Sequence, residues 1–266
     1  MSLKSLIQSC LSPLGVEIRR VADPTLPLLH QFTLDGKQRR FWLTNPFTKS
    51  WWHKPEIQMN GELSELKRLC TPSSRVLEIG AHHGLMTILM ADCVGTDGHV
   101  FAVEASADNA FVLDANCFQN RLSNVSTWFT AIGRTAGTAR FGGESLAASS
   151  GIVREVPMVT ADQFCDSNAG DRIDVLKIDV EGFEMEVLQG AAHLLQQRPK
   201  LALELHVDLL VDAGSSAKEV WDLLETSGMF QDRKTTMLTR PNWNDIRPVN
   251  DFNDLPTSGV VNLFVS

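Results

Sequence analysis

The apolar residues between positions 75 and 104 fall into two short continuous runs on either side of a longer one. The short runs, Arg75–Ile79 and Gly98–Glu104, are rich in Val, Leu, Ile and Phe, which predicts strands that are buried on both faces. The longer run, Leu85–Val94, is long enough for a buried helix. Strand, helix and strand in this order predict a βαβ unit, whose ligand site lies at the carboxyl ends of its strands.

The same alternation of short apolar runs and longer segments continues to the end of the chain. Further strands are predicted at Val125–Ile132, Ile173–Asp179 and Leu201–His206, further helices at Ala107–Gln119, Phe183–Gln197 and Ala217–Thr226, and β-rich segments at Met229–Leu238 and Val260–Val265. Residues 135–160 combine several glycines with short β-like pieces and are predicted to form a hairpin insertion. Together these elements predict an α/β fold with a doubly wound, mostly parallel sheet that a pair of strands closes at one edge.

Residues 1–70 are expected to form an extension that caps the substrate, and residues 71–266 are expected to form the catalytic domain. The extension contains a predicted amphipathic helix at Leu3–Ser12, a hairpin of His30–Leu34 and Arg39–Leu43 around Asp35-Gly36, and a helix at Glu62–Cys70. Two interpretations stay open for Trp51 and Trp52 in its loop. They form a lid or stacking wall for the substrate, or they pack in the seam with the catalytic domain.

The overall composition is that of a folded enzyme. At 266 residues, 43% hydrophobic and 21% charged, the chain can bury one main core. The net charge of −8 argues against nucleic acid as the main partner. No apolar run has membrane-spanning length, and the five scattered cysteines favour thiols in a reducing compartment, so a cytoplasmic enzyme is expected. Composition does not indicate an oligomeric state.

The turn after the first predicted strand has the spacing Glu78-x-Gly80-x-x-x-Gly84. Glycine lets the backbone turn sharply and lets a ligand lie against it. Glu104, at the end of the next strand, lies where a carboxylate accepts both hydroxyls of a ribose. The nicotinamide fingerprint G-x-G-x-x-G is absent, and Glu78 repels phosphate while it suits an ammonium or a sulfonium. S-adenosylmethionine has both groups. An ordinary tight turn and a nicotinamide-dependent oxidoreductase remain the alternatives.

Polar residues interrupt the fourth and fifth predicted strands. Successive residues of a strand alternate between its faces, so Lys177 shares a face with Asp179, and Glu204 shares one with His206. A lone buried charge is costly, hence Lys177 is expected to pair with Glu204 or Glu78 on a neighbouring strand. Asp179 and His206 instead fall at the carboxyl ends of their strands, where ligands of open α/β sheets bind.

Several motifs occur together in the predicted catalytic domain. They are Val76–Gly84, Glu104 followed by Asn109 and Asn116, the turn Ala131-Ile132-Gly133 with Gly137, the run Leu176–Glu184 followed by Val187–Ala191, and Glu204-Leu205-His206. Over residues 74–207, about half of the chain, this set resembles the FkbM family of S-adenosylmethionine-dependent methyltransferases, most specifically through Lys177–Gly182. The family usually has Asp-x-Gly-Ala-Asn-x-Gly where this chain has Glu78, His82 and His83, so His82 is a candidate to replace the lost amide.

The resemblance implies a class I methyltransferase fold with a seven-stranded sheet whose last strand is antiparallel. It implies S-adenosylmethionine as the cofactor and O-methylation of a hydroxyl, often on a sugar or a polyketide-type natural product. The cofactor-binding residues would be Glu78, Gly80, Ala81, His82, Gly84, Glu104, Ala105, Ala131, Ile132 and Asp179. A homologue that binds the cofactor without catalysis is a further alternative.

Methyl transfer to oxygen also requires removal of the hydroxyl proton. The candidates for the base are His206 first and Asp179 second, and the ordinary pKa of histidine, about 6.5, suits proton uptake at neutral pH. Glu181, in the loop after the fourth strand, is a candidate for binding substrate hydroxyls. The side chains of Asp179, Glu181 and His206 are acceptable ligands for Mg²⁺ or Mn²⁺, but their spacing does not demand a cation, and no metal is expected.

Overall fold

The computed structural model describes residues 28–44, 48, 60–142, 153–170, 172–240 and 242–266. The predicted helix Leu3–Ser12 and the residues Trp51 and Trp52 lie outside these ranges, so their roles stay predictions. Among the described helices, none is long and apolar enough to cross a membrane.

Three sheets contain the described strands. The strands are β1 (Leu28–Leu34), β2 (Lys37–Leu43), β3 (Arg75–Ile79), β4 (His99–Glu104), β5 (Val125–Phe129), β6 (Ala131–Ile132), β7 (Gly137–Gly142), β8 (Val153–Val159), β9 (Val175–Ile178), β10 (Lys200–His206), β11 (Thr235–Thr239), β12 (Asn242–Pro248) and β13 (Val260–Val265). The central sheet has eight strands in the order β12-β11-β13-β10-β9-β3-β4-β5. Its strands from β10 to β5 are parallel, and β13 is antiparallel to both β10 and β11. The antiparallel last strand is confirmed, and β12 adds an eighth strand that was not predicted.

Helices cover both faces of this sheet. They are α1 (Asn60–Leu69), α2 (Leu85–Val94), α3 (Ala107–Gln119), α4 (Ala161–Phe164), α5 (Glu184–Gln189), α6 (Ala192–Gln196), α7 (Val207–Asp212) and α8 (Ala217–Thr226). Val76 and Val175 pack in the cluster with α1 and α2, whereas Leu77 and Leu176 pack on the opposite face with α5, α6 and α8. Because both faces are covered, the parallel strands are apolar on both sides, and each buried aliphatic side chain contributes roughly 1.5–3 kcal/mol.

The predicted third strand, Val125–Ile132, is two strands in the structure. β5 pairs with β4 as far as the contact between Phe129 and Glu104, where β4 ends and offers no further partner. The chain turns at Thr130, and β6 then joins a second sheet beside β8. The predicted hairpin insertion is confirmed as the antiparallel pair of β7 and β8.

The predicted helix Phe183–Gln197 is divided at Gly190 into α5 and α6. A Cβ atom at Gly190 would lie 2.1 Å from the backbone oxygen of Gly133, so this close approach leaves room only for glycine, which favours a break. Sequence reasoning also missed α7 and β12. α7 has only six residues, and β12 has no regular alternation of apolar and polar residues.

The hairpin of β1 and β2 is fastened to the helices of the catalytic region. The backbone N–H of Trp42 donates to Asn116 on α3 at 2.7 Å, and Asp92 on α2 pairs with both Lys37 and Arg39. The predicted hairpin and the predicted helix at residues 62–70 are confirmed. Both share one hydrophobic cluster with α2, and the proposed division at residue 70 stays a prediction.

Candidate active site

The turn between β3 and α2 is held close to β9. Gly80 and Gly84 have positive φ angles, +85° and +86°, a conformation that favours glycine. A Cβ atom on Gly80 would lie 1.7 Å from the backbone oxygen of Asp179, and one on Gly84 would lie 2.5 Å from Cδ1 of Leu113. Packing therefore requires both glycines, and it brings the end of β3 against the end of β9.

Glu104 closes β4 and fastens the turn that contains the glycines. Its carboxylate accepts the backbone N–H of His82 at Oε2 and that of Ser106 at Oε1, each at 2.7 Å. Glu104 and Ala81 are buried, and Ala105 is half-buried. A buried carboxylate at the end of this strand is compatible with the predicted contact to ribose hydroxyls.

The two histidines of the turn take different positions. His82 is half-buried and has a left-handed backbone, with φ +51°. His83 is fully buried, and its Nε2 lies 3.2 Å from Oγ1 of Thr44, while its carbonyl accepts Nδ2 of Asn116 at 2.8 Å. His83 thus connects the turn to the end of the hairpin, a structural role that the sequence did not separate from that of His82.

Lys177 is buried between two carboxylates. Its Nζ lies 3.6 Å from Oε1 of Glu78 and 3.5 Å from Oδ2 of Asp179, and Thr87 donates to Glu78 at 2.5 Å. The predicted pairing of Lys177 with Glu78 is confirmed. Burial raises the pKa of Glu78 to about 7, although Lys177 opposes this shift. Burial also lowers the pKa of Lys177, but Asp179 and Glu78 outweigh it and raise that pKa overall.

His206 ends β10 and is held from one side by Glu184 of α5. Nδ1 lies 2.8 Å from Oε1 of Glu184, which also accepts the backbone N–H of Gly182 at 3.0 Å. Nε2 lies 3.7 Å from Oε1 of Glu204. Burial lowers the pKa of His206, but the hydrogen bond to Glu184 and the charges of Asp179 and Glu204 together raise it to about 9.

Asp179, Glu204 and His206 form one cluster at the carboxyl edge of the sheet. Their ligating atoms all lie within 4.8 Å of one another. Asp179 is the most accessible of the three, with its side chain 30% exposed. Burial raises the pKa of Asp179, but Lys177 and His206 outweigh it and hold that pKa below its usual value. Glu204 also accepts Nη2 of Arg240 at 2.5 Å.

The remaining predicted site residues follow β9 and β5. Glu181 is half-buried in the loop after β9 and has φ +48°, which is uncommon for a residue other than glycine. His82, at the end of β3, shares this conformation. Such backbone strain recurs at functional sites. Ala131 and Ile132 form β6 and are 1% and 2% exposed.

Sequence reasoning missed Glu62, Glu184 and Arg240. Glu184 had one signal in the sequence, because it stands three residues after Glu181 at the start of a helix, and the structure shows that it is fully buried. Glu62 on α1 and Arg240 after β11 come from distant parts of the chain, and only the tertiary structure brings them near Glu204. Burial, the nearby Glu204 and Asp179 raise the pKa of Glu62 to about 8, against the opposing charges of Lys177 and Arg240.

Residues 78–231 match the methyltransferase FkbM domain. Among solved structures, methyltransferase FkbM from Methylobacillus flagellatus KT is 15% identical, with a TM-score of 0.48 over 83% of this chain and 48% of that chain. An S-adenosylmethionine-dependent O-methyltransferase from Thermotoga maritima is 12% identical, with a TM-score of 0.43 over 89% and 77%. Fibrillarin from Aeropyrum pernix, crystallised with S-adenosylmethionine, is 13% identical, with a TM-score of 0.46 over 92% and 84%. No curated protein sequence matches the chain.

The family match covers more than half of the chain and the carboxyl ends of β3, β4, β9 and β10. It contains the glycine turn, Glu104, Asp179 and His206. S-adenosylmethionine is the methyl donor of this family, and the acids and glycines of the site are compatible with it. The protein therefore belongs to the FkbM family of S-adenosylmethionine-dependent methyltransferases.

Proposed function

We propose that the protein methylates a hydroxyl oxygen of a sugar, a glycan or a small natural product. The observation that carries the proposal is the placement of His206 and Asp179 at the adjacent ends of β10 and β9. This is the edge of the sheet where Glu104 fastens the glycine turn, and ligands of open α/β sheets bind there. An imidazole whose other nitrogen is held by the buried carboxylate of Glu184 is oriented for proton uptake.

The donor set at this edge fits S-adenosylmethionine. Glu104 would accept hydrogen bonds from the ribose hydroxyls, and the ionised carboxylate of Asp179 would attract the ammonium group of the methionine part. We assign the remaining cofactor contacts to Glu78, Gly80, Ala81, His82, Gly84, Ala105, Ala131 and Ile132. Of these, Glu78 is fully buried beside Lys177, so its contribution would act through charge.

The bound donor supplies a methyl group on a positively charged sulfur. As the bond between sulfur and methyl carbon breaks and the bond to the acceptor oxygen forms, the hydroxyl proton passes to the protein. His206 is the first candidate to take it and Asp179 the second, while Glu181 would bind other hydroxyls of the acceptor. Because the pKa of His206 is about 9, we expect the rate to rise with pH through about 9, instead of through the ordinary value near ~6.5.

Two bulk properties support the kind of acceptor and the location that we propose. The net charge of −8 supports an acceptor other than nucleic acid, whose phosphates require basic partners. The described cysteines Cys70, Cys93, Cys117 and Cys165 are free thiols, which supports a reducing, cytoplasmic location. A homologue that binds the cofactor without turnover is the main rival.

Methyl-labelled S-adenosylmethionine tests the proposal directly. The purified protein is incubated with it and with separate pools of sugars, glycans, hydroxylated natural products and RNA. We expect label in a hydroxylated small molecule or glycan, as a methyl ether that alkali does not release. Label on RNA or as an alkali-labile ester would contradict the proposed acceptor. Calorimetric binding of S-adenosylhomocysteine without transfer to any pool would favour the non-catalytic rival.

A further inference from the structure

We infer that Asp179, Glu204 and His206 form a binding site for one divalent cation of the Mg²⁺ or Mn²⁺ type. Their ligating atoms lie within 4.8 Å of one another, so small side-chain movements would let a single ion reach all three. Two carboxylates with one imidazole suit these cations, and two negative charges balance the ion. The sequence suggested Glu181 as the ligand beside Asp179 and His206, whereas in the structure Glu204 of β10 is the third member of the cluster.

His206 is oriented as metal-binding histidines usually are. Its Nδ1 lies 2.8 Å from Oε1 of Glu184, a fully buried carboxylate, and its Nε2 points towards Glu204 at 3.7 Å. A metal-ligating histidine almost always donates its other ring N–H to a carboxylate, a carbonyl or a water. The pair therefore presents Nε2 to the position between Asp179 and Glu204.

Glu62 gives a second, independent indication of a missing positive partner. Its side chain is 3% exposed, and its Oε2 is buried with no hydrogen-bond partner in the described structure. The charges that act on it are those of Glu204, Lys177, Asp179 and Arg240, so it lies near the same cluster. A buried carboxylate oxygen without a donor is costly, and waters on a cation at the cluster would supply donors.

Carboxyl groups gather near the cluster. Among the described residues, five carboxyl groups (Glu62, Glu78, Asp179, Glu184 and Glu204) surround Lys177, Arg240 and the imidazole of His206. On Asp179, Lys177 contacts Oδ2, and on Glu204, Arg240, whose side chain is 42% exposed, contacts Oε1. These pairs use one oxygen of each carboxylate, so a cation can bind through the other oxygen.

The role of the cation rests on the proposed function, whereas the site itself does not. A cation at this edge would coordinate the acceptor hydroxyl and lower its pKa. The proton would then leave to solvent as the methyl group moves from sulfur to oxygen, and His206 would be a ligand of the cation instead of the base. Removal of the cation would slow transfer at neutral pH.

Mn²⁺ binding to the full-length protein tests the site without turnover. Protein stripped with EDTA is titrated with Mn²⁺ by electron paramagnetic resonance, with S-adenosylhomocysteine present. We expect the wild type to bind one ion, and Glu204→Gln and Asp179→Asn to bind it at least about 100-fold more weakly. Glu184→Gln, which acts through His206, should weaken binding about 10- to 100-fold. Glu186→Gln is the matched control on the same helix, with its side chain 34% exposed, and should bind as the wild type does.

Circular dichroism identifies any variant that does not fold. If Glu204→Gln does not fold, the binding result for Asp179→Asn, which changes the most accessible ligand, decides whether the site exists. The inference is overturned if the wild type binds no Mn²⁺ up to millimolar concentration, or if both ligand variants bind as tightly as the wild type. Bound Mn²⁺ with no transfer to any hydroxyl would contradict the proposed function and leave the site standing. Full O-methylation by stripped protein that binds no Mn²⁺ would contradict the cation site and support the proposed function.

Discussion

The two ends of the same strands, β3, β9 and β10, differ in how their charges are satisfied. At the amino ends, Asp174 accepts the backbone N–H of Arg75 at 2.9 Å, and Lys200 and Arg233 donate to backbone carbonyls at 2.9 and 2.7 Å. Each of these charged side chains has a backbone partner. A cleft of about 750 Å³ opens beside them.

At the carboxyl ends, carboxylates lie near other carboxylates. Glu62 and Glu184 each have an Oε2 atom that is buried without a hydrogen-bond partner in the described structure, and the pKa values of Glu78 and Glu204 are raised by burial to about 7. Residues with strongly shifted pKa values cluster at functional sites, because catalysis requires pKa values that differ from those of free side chains. We therefore assign the proposed chemistry to the carboxyl edge and a structural role to the three charged side chains at the amino edge.

His206→Ala is expected to have the largest effect of the substitutions at the carboxyl edge. We expect turnover to fall by about 10²–10⁴ with little change in cofactor affinity, because proton removal or cation binding at the cluster is lost. Steady-state kinetics and calorimetry with S-adenosylhomocysteine measure the two effects. Arg233→Ala, at the amino edge, is the control and should keep wild-type turnover per folded molecule. If His206→Ala retains most activity while Asp179→Ala abolishes it at unchanged cofactor affinity, the role passes to Asp179.

Lys177→Met tests whether the buried ammonium group of Lys177 has a structural role. The substitution leaves Glu78 and Asp179 without their buried partner, so we expect it to lower the free energy of unfolding by about 3–5 kcal/mol. Cofactor affinity of the folded fraction should change less. Urea denaturation and calorimetry measure the two quantities. A variant of normal stability that has lost activity would show that Lys177 is catalytic.

Glu104→Ala separates the cofactor part of the carboxyl edge from the proton-handling part. We expect S-adenosylmethionine to bind about 2–4 kcal/mol more weakly, since charge-assisted hydrogen bonds are worth about 1.5–3 kcal/mol each and are not additive. Glu104→Gln keeps one acceptor oxygen for the N–H groups of His82 and Ser106 and should lose less. Unchanged affinity in a folded Glu104→Ala protein would remove Glu104 from the site.

Local pattern predicted most of the sheet and its helices. Leu85–Val94, Ala107–Gln119 and Ala217–Thr226 have the predicted bounds, because each is a long apolar or amphipathic segment between clear turn residues. The partner of Lys177 was predictable as well, since the two-residue period of a strand fixes which face its side chain occupies. Where a segment depends on a distant neighbour, as at Gly190 against Gly133, the pattern gave the wrong length.

The sequence predicted only those residues of the candidate site that lie at the ends of strands. Asp179, Glu104 and His206 end strands, and the sequence showed this. Glu184 and Arg240 reach the cluster from α5 and from the segment after β11, so their contacts depend on tertiary packing that no periodicity encodes. Burial lowers the pKa of His206, but the hydrogen bond to Glu184 and the charges of Asp179 and Glu204 raise it to about 9, and the contact with Glu184 could not be predicted from the sequence.

Glu62→Gln shows its effect in the pH dependence of stability, and it tests the carboxyl-rich edge directly. Burial and the charges of Glu204 and Asp179, opposed by Lys177 and Arg240, raise the pKa of Glu62 from 4.5 to about 8 in the folded protein. A group with a raised folded pKa stabilises the fold fully below its unfolded pKa and loses that contribution as pH rises through the folded value. The wild type should therefore lose stability from this group between pH 4.5 and about 8, by at most ~1.4 kcal/mol per pH unit.

The glutamine variant does not ionise, so in EDTA its stability relative to the wild type should increase from pH 5 to pH 8, as measured by urea denaturation. Glu186→Gln is the control and should follow the wild type. A constant difference between Glu62→Gln and the wild type across this range would show that Glu62 is balanced in the folded protein.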